Sequence, residues 1–166
     1  HHGVVGFAGV AAVLAVCIAS AAALVHHIEP HAEGSGIPRV EAVVEGRAAP
    51  ERPRTLPIKY VGGLLAIGSG LALGREGPSV QMGGIVGAVL GRRARLDAVD
   101  LRMVIAGGAA AGLATAFNAP IAGGVFVLEE LLKRFDPRAS LAALAASGAG
   151  FAATDLLTDA RTVFTL

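Results

Sequence analysis

The chain alternates long apolar runs with short polar connectors, and each run is long enough for a helix. An uncharged run over 3–25 matches the roughly 20 residues that cross a bilayer core. Polar stretches, glycines and prolines mark where one helix ends and the next begins. The pattern predicts helices over 3–25, 39–46, 56–73, 78–90, 101–115, 120–132 and 139–157.

The apolar run that starts at Met103 is interrupted by Asn118-Ala119-Pro120. Proline disfavours helix in the residue before it and suits the first position of a new helix. The interruption therefore predicts two shorter helices, 101–115 and 120–132. Basic residues precede the first and follow the second, so the positive-inside bias predicts a re-entrant hairpin with both ends on the cytoplasmic side.

Composition supports a membrane protein. Of 166 residues, 54% are hydrophobic and 16% charged, and the mean hydropathy is +0.64. So short a chain has little surface with which to enclose a soluble core of that size. A net charge of +1 without a basic stripe argues against a nucleic-acid partner, and the single cysteine, Cys17, excludes an internal disulfide. The first residue is His and no signal peptide is visible, which suggests an internal piece of a longer protein.

A charged pentapeptide, Gly74-Arg75-Glu76-Gly77-Pro78, lies between two apolar runs. Charges inside membrane sequence are costly and indicate a functional site. Gly77 permits unusual backbone angles and Pro78 suits the first helical position. We therefore expect a helix to start beside Glu76 with unpaired N–H groups directed at it. A helix N-terminus favours anions, so this carboxylate could stand in for a small anion.

A similar feature occurs earlier, in Gly34-Ser35-Gly36-Ile37-Pro38. Glycines flank Ser35, and Pro38 lies near the start of the predicted short helix. The sequence again indicates irregular backbone leading into a helix N-terminus, with the Ser35 hydroxyl as a neutral donor. The alternative is an ordinary Gly-Ser turn that caps a helix.

Two further polar groups allow more than one interpretation. His26, His27, Glu29 and His31 could bind a transition metal, although polar residues ending a membrane helix at the interface are favoured. The glycines of Gly68-Ser69-Gly70, together with Gly74, superficially match a dinucleotide loop. No strand precedes them and no acidic ribose partner follows, so they are expected to permit close helix contact instead.

Glu129 and Glu130 close the predicted helix 120–132. Adjacent helical residues point about 100° apart, so the two carboxylates serve different surroundings. One could face a watery path and carry protons. The alternative, favoured on sequence grounds, is a solvated pair beside Lys133 and Arg134 at the membrane edge.

With these two motifs and Ala116-Phe117-Asn118-Ala119-Pro120, the chain closely resembles the CLC family of chloride channels and proton-coupled chloride antiporters. The match covers nearly the whole chain in order. The resemblance implies an all-α membrane fold of discontinuous, tilted and re-entrant helices. It further implies that 1–166 is a single partial transmembrane domain, most of the first of two inverted halves, in a homodimer whose subunits each hold a pore.

The resemblance also implies roles for individual residues. Ser35 would coordinate the central anion and favour chloride over nitrate. Glu76 would be the gate, and Glu76 with Glu130 would transfer protons. Arg75 would set the local potential, balanced by Glu41 and Lys59. The implied chloride-binding residues are Ser35, Gly36, Ile37, Arg75, Glu76 and Gly77.

The function implied is chloride transport, with proton-coupled antiport favoured by Glu130. A passive gated channel and a non-transporting fragment are the alternatives. The protein is expected to be a multi-pass protein of the lipid bilayer, in a bacterial plasma membrane, without enzymatic activity, metal or cofactor; chloride and protons are the transported species. The family's second half, including the tyrosine that partners the central serine, has no match here, since Tyr60 precedes the pentapeptide.

Overall fold

The computed structural model describes residues 2–133 and 136–158, and within them the chain is helical. Two helices, α1 and α6, continue as π-helical turns, Leu24–Ile28 and Val127–Leu132 respectively. A 3-10 turn, Pro30–Ala32, leads towards α2. The helices are α1 (His2–Ala23), α2 (Ile37–Val44), α3 (Thr55–Gly68), α4 (Glu76–Arg93), α5 (Ala98–Phe117), α6 (Pro120–Phe126) and α7 (Pro137–Thr158).

Helices α4 and α5 form the centre of the fold, and glycines let their backbones approach. A Cβ placed on Gly87 would lie 2.5 Å from the Val104 carbonyl oxygen, and Gly83 and Gly108 lie against each other's backbone in the same way. Small residues at a crossing give close packing where lipid provides no hydrophobic drive between helices. Around this crossing lies the core formed by α2, α4, α5 and the end of α6, which includes Val40, Val80, Ala109, Leu113 and Val127.

Three helical segments of the described residues are long and apolar enough to cross a membrane: Gly6–Ile28, Ala98–Phe117 and Pro137–Thr158. The first presents large apolar side chains outward, such as Phe7 and Val13. An apolar surface of this kind is unfavourable in water and favourable against lipid or other membrane helices. The predicted helix 3–25 is thus confirmed, with a π-helical extension.

Helix α3 is shorter than predicted, because it ends at Gly68 rather than continuing to residue 73. Gly70 takes the left-handed conformation (φ 85°), and its N–H donates to the Ile67 carbonyl while Leu71 donates to Ala66. This is a Schellman end, which glycine adopts without strain. Among the described residues, nothing lies within 4 Å of a Cβ on Gly68 or Gly70, so the close helix contact expected of these glycines is not seen there.

The break at Asn118-Ala119-Pro120 is confirmed. Asn118 ends α5 in the left-handed conformation (φ 56°), and Pro120 is the first residue of α6. Asparagine tolerates this conformation better than most residues with a Cβ. The re-entrant course and the side on which the two ends lie stay predictions.

Candidate functional site

Two helix N-termini meet where the loop before α2 touches the start of α4. A Cβ on Gly77 would lie 2.6 Å from the Ser35 carbonyl oxygen and 2.7 Å from the Ser35 Cβ, so only glycine allows this approach. Gly36 caps α2 with φ 85°, and Val40 makes the first N–H bond back to Gly36. The structure therefore brings the predicted residues Ser35, Gly36 and Gly77 together.

Both helix starts leave backbone N–H groups without intrahelical partners. In α4 the first bond runs from the Ser79 N–H to the Arg75 carbonyl, at 3.1 Å, so the N–H groups of Glu76 and Gly77 precede the ladder. In α2 the N–H of Ile37 precedes it in the same way. Unpaired N–H groups with the positive ends of two helix dipoles favour an anion at this meeting point.

The start of α4 differs from the sequence prediction. The helix begins at Glu76, two residues earlier than expected, so that Pro78 occupies the third helical position. Gly77 does not have a positive φ, and the prediction of unusual backbone angles there was wrong. Glycine is required at this position because Ser35 packs against it.

The Glu76 carboxylate folds back over the preceding loop. Its Oε2 occupies the space that a Cβ on Gly74 would need, and the side chain is half-buried. Among residues 2–133 and 136–158, no side-chain hydrogen bond or ion pair engages this carboxylate. A carboxylate at a helix N-terminus that is tied to no other group can move without first breaking a side-chain contact.

Arg75 is exposed, and the residues expected to balance it are engaged elsewhere. Glu41 accepts a hydrogen bond from Lys133 at 2.5 Å and lies 3.6 Å from Arg47. Within the described part of the chain, Arg75 forms no ion pair within 4.0 Å. Glu41 thus forms no ion pair with Arg75, and the expectation that Glu41 and Lys59 balance the potential at Arg75 stays a prediction.

Lys59 instead holds the Ser35 loop. Its ammonium group is buried, with 4% of the residue exposed, and donates to the carbonyls of Ala32 at 3.0 Å and Gly34 at 2.6 Å. A buried cation is tolerated only where hydrogen bonds replace its hydration. The positive charge is thus bound to the loop carbonyls and fixes the backbone beside Ser35.

A cavity of about 630 Å³ lies between α1, α3 and the Ser35 loop. Its walls are largely apolar, and its polar lining residues include Glu33, Ser35 and Lys59. Gly74 and Pro78 also line it, whereas Arg75 and Glu76 do not. The cavity gives the Ser35 loop an open side large enough for a hydrated small ion.

Glu130 lies outside this meeting point. It belongs to the π-helical turn after α6, and both Glu129 and Glu130 are exposed. The hydrogen bond to Glu41 raises the pKa of Lys133, and the nearby carboxylates of Glu45 and Glu130 raise it further. The sequence placed Lys133 beside the two glutamates; the structure shows that its ion pair is with Glu41, and Arg134 lies outside the described residues.

The side chains of the histidine group at the end of α1 do not converge as the ligands of a metal ion would. Glu29 is buried and its carboxylate accepts hydrogen bonds from His31 at 2.9 Å and Arg54 at 2.5 Å. Burial opposes its ionisation, but these two bonds hold the pKa of Glu29 below its ordinary value. No three metal-ligating side chains converge anywhere in the described ranges. Glu29 ties the end of α1 to the start of α3.

Sequence reasoning missed Gln81 and Glu51, which lie behind the Ser35 loop. Gln81 is fully buried in α4 and donates to Glu51 Oε1 at 2.8 Å. An amide within the otherwise apolar run after Ser79 was the available signal. Nothing in the sequence pattern marks Glu51, which lies in a polar loop with other charged residues.

Fold and site together define a class: a helical membrane protein in which helix N-termini meet at a small hydroxyl side chain, an arrangement that favours anions. A family model described as voltage gated chloride channel matches residues 8–166. The chain belongs to this family. Its described residues include three helices long enough to cross a bilayer, and it is an integral, multi-pass membrane protein.

The chain is similar to several named transporters. It is 50% identical over 113 residues to the H(+)/Cl(-) exchange transporter ClcA of Vibrio cholerae serotype O1, and 49% identical to that of Cronobacter sakazakii. Each alignment covers 68% of this chain and 24% of the relative. The bacterial relatives support a plasma-membrane location.

Among solved structures, the chain resembles a slow cyanobacterial Cl-/H+ antiporter, with a TM-score of 0.87 and 36% identity. The superposition covers 95% of this chain and 37% of that chain. The resemblance confirms the expected helical membrane fold. The chain spans well under half the length of the relatives it matches.

Proposed function

We propose that this chain carries the anion-binding and gating part of a proton-coupled chloride antiporter. The observation that carries the proposal is the meeting of two helix N-termini at Ser35 and Gly77, next in the chain to Glu76, whose carboxylate lies over Gly74. The family and the printed names of the relatives support chloride and protons as the transported species.

Chloride would bind by weak, distributed contacts at this meeting point. The proposed ligands are the Ser35 hydroxyl and the N–H groups of Gly36, Ile37 and Gly77, with Glu76 and Arg75 at the outer side. Conduction needs binding that is favourable enough for entry and weak enough for exit. The buried cation, Lys59, acts through the loop backbone and would leave the anion free to depart.

Glu76 would act as both gate and proton acceptor. When ionised, it competes with chloride for the N-terminus of α4 because both carry one negative charge. When protonated, it loses that charge and yields the position. The absence of any side-chain partner for Glu76 in the described ranges supports this exchange. Chloride and a proton would thus be coupled by mutual exclusion.

Glu130 would deliver protons from the other end of the pathway. Its exposure at the π-helical turn supports contact with an aqueous phase. Lys133 lies three residues on and is paired with Glu41 on α2, the helix that begins at the Ser35 loop. The proposed proton route therefore starts at a charged surface joined to the anion site through α2.

The wider assembly is part of the same proposal. The chain would form the first of two inverted halves of a transmembrane domain, in a homodimer within the lipid bilayer. It would act as a transporter and not as an enzyme, without a cofactor. The family membership and the apolar outer surfaces of the long helices support a transporter that lies in the bilayer.

The proposal is tested by proton uptake into liposomes that hold the full-length protein, driven by an imposed chloride gradient. Uphill proton movement is expected. Chloride flux without proton movement would identify a passive channel, and no flux of either ion would refute the proposed function.

Two substitutions locate the proton route. Glu76→Gln should retain chloride flux and lose proton coupling, because the amide resembles the protonated gate. Glu130→Val should also lose proton movement while chloride passes. Glu129→Gln is the matched control, an adjacent exposed carboxylate that should leave coupling intact. Proton coupling that survives in Glu76→Gln or Glu130→Val would contradict the role of that residue.

A further inference from the structure

Gln81 is a fully buried polar residue on α4, five positions after Glu76. Its amide Nε2 donates to the His31 carbonyl oxygen at 2.9 Å and to Glu51 Oε1 at 2.8 Å. Both amide hydrogens are therefore used, which fixes the orientation of the group. Within the part of the chain that the structure describes, the amide oxygen Oε1 has no hydrogen-bond partner.

The same side chain lies flat against the loop that carries Ser35. A Cβ on Gly36 would lie 2.7 Å from the Gln81 Cβ and 2.5 Å from its Cδ, and the Oε1 is nearest of all. Gly36 has φ 85° and caps α2. The packing of Gln81 thus sets how closely the start of α2 approaches α4.

Helix α4 contacts the loop at two points of opposite character. At Gly77 the lack of a side chain lets Ser35 come close. At Gln81 a long side chain packs against Gly36, and its amide donates to the His31 carbonyl oxygen. The two contacts are four residues apart and so lie on one face of α4. Two contacts on one face fix both the distance and the tilt of the loop.

Glu51 completes the arrangement from the loop before α3. It is buried, and its Oε1 accepts from Gln81 and lies 3.6 Å from Arg39 Nε on α2. This carboxylate thereby links α2 and α4 to the loop between α2 and α3, in which Glu51 itself lies. Its other oxygen, Oε2, has no hydrogen-bond partner among residues 2–133 and 136–158, so the link depends on Oε1.

We propose that Gln81 is a positioning residue for the anion site, holding the His31–Gly36 segment against α4 and so setting the separation of the two helix N-termini. The inference rests on the proposed function, since it concerns the site formed by Ser35, Gly36 and Gly77. Gln81 acts through the loop backbone and does not itself touch the anion. Lys59 holds the same loop from α3, so removal of the Gln81 bonds loosens the loop without releasing it.

The test is chloride binding by calorimetry to the full-length protein in detergent, with the Tm of each variant. Gln81→Met keeps the length of the side chain and removes both donors. We expect a chloride Kd about tenfold higher, which is the effect of losing one or two hydrogen bonds. We also expect the variant to discriminate less between chloride and nitrate in liposome flux. Ser140→Ala is the control. Ser140 is a buried serine on α7, which packs against α5 and α6, and its hydroxyl has no hydrogen-bond partner among the described residues.

Glu51 supplies a second pair of variants. Glu51→Gln keeps an acceptor oxygen for Gln81 and should retain chloride affinity, whereas Glu51→Leu removes it and should weaken binding. The Leu variant also serves if Gln81→Met does not fold. A merely structural role would lower Tm in these variants and leave both Kd and selectivity unchanged.

The outcomes separate the two proposals. A folded Gln81→Met variant with the wild-type chloride Kd and chloride-over-nitrate selectivity would overturn the positioning role, while the proposed function would stand. If Gln81→Met does not fold, the same result in Glu51→Leu would overturn it. A wild-type protein that binds no chloride would refute the proposed function and this inference with it.

Discussion

Replacing Gly77 with alanine tests whether the closeness of Ser35 to α4 creates the anion site. The new Cβ would lie 2.6 Å from the Ser35 carbonyl oxygen, 2.7 Å from its Cβ and 3.0 Å from its Cα. Two of these atoms belong to the backbone, so a rotamer change cannot relieve the clash. The loop must retreat by about 0.8 Å for the shortest contact to reach the 3.4 Å of ordinary packing.

Overpacking of this kind costs about 1–3 kcal/mol. If that cost opposes the closed arrangement of the two N-termini, chloride affinity falls by a similar free energy, roughly 5- to 150-fold. When the two N-termini move apart, the anion can no longer lie close to the N–H groups of both helices, and its hydrogen bonds to one of them weaken. We therefore expect weaker chloride binding together with slower chloride flux.

Gly63→Ala is the matched control. Gly63 lies in α3 and lines the cavity beside the Ser35 loop. Among the described residues, no atom lies within 4 Å of a Cβ placed on Gly63. Alanine in a helix is favoured over glycine by roughly 0.5–1 kcal/mol, so this variant should bind chloride normally and be slightly more stable. Calorimetric chloride titration and liposome flux of the full-length protein measure both variants. Wild-type affinity and flux in Gly77→Ala would refute the reasoning.

Three further predictions concern stability, measured as Tm in detergent. Gly83→Ala should lower Tm by several degrees, because the new Cβ would clash with the α5 backbone and overpacking costs about 1–3 kcal/mol. Gly148→Ala is the control and should leave Tm unchanged, because the space around Gly148 is open among the described residues. Burial raises the pKa of Glu51, so stability should fall as pH rises from 4.5 through the folded-state pKa, and Glu51→Gln should remove that fall. The hydrogen bond from Lys133 lowers the pKa of Glu41, so the stability of this pair is present above pH 4.5 and lost as pH falls through the folded-state pKa. Lys133→Met should weaken that acid dependence, although Arg47, 3.6 Å away, still favours the ionised Glu41 carboxylate. An acid dependence as strong as that of the wild type would contradict the pairing.

Much of the fold could be predicted because membrane helices leave a strong sequence signal. A helix in lipid must satisfy its backbone internally and present apolar side chains, so long uncharged runs and their glycine and proline ends are informative. The break before Pro120 was found in this way. The end of α3 was misplaced by five residues, because apolar composition continues through the left-handed turn at Gly70.

The sequence was also informative about which residues carry the chemistry, and less about how. Ser35 and Gly77 were singled out from separate motifs, and the structure brings them into contact. The role of Gly77 was assigned to backbone angles, whereas it depends on a neighbour 42 positions earlier in the chain. No local pattern reports such a distant contact.

By itself, then, the sequence determined the class of protein, the helices and the candidate anion residues, because hydropathy, helix ends and charge in apolar surroundings are local properties. Only the tertiary structure decided that Lys59 binds the Ser35 loop and that Glu41 pairs with Lys133. It also showed that Gln81 and Glu51 lie behind the site. Those contacts join residues 25 to 92 positions apart, and buried polar groups take whichever partners the packing of the helices places within hydrogen-bond distance.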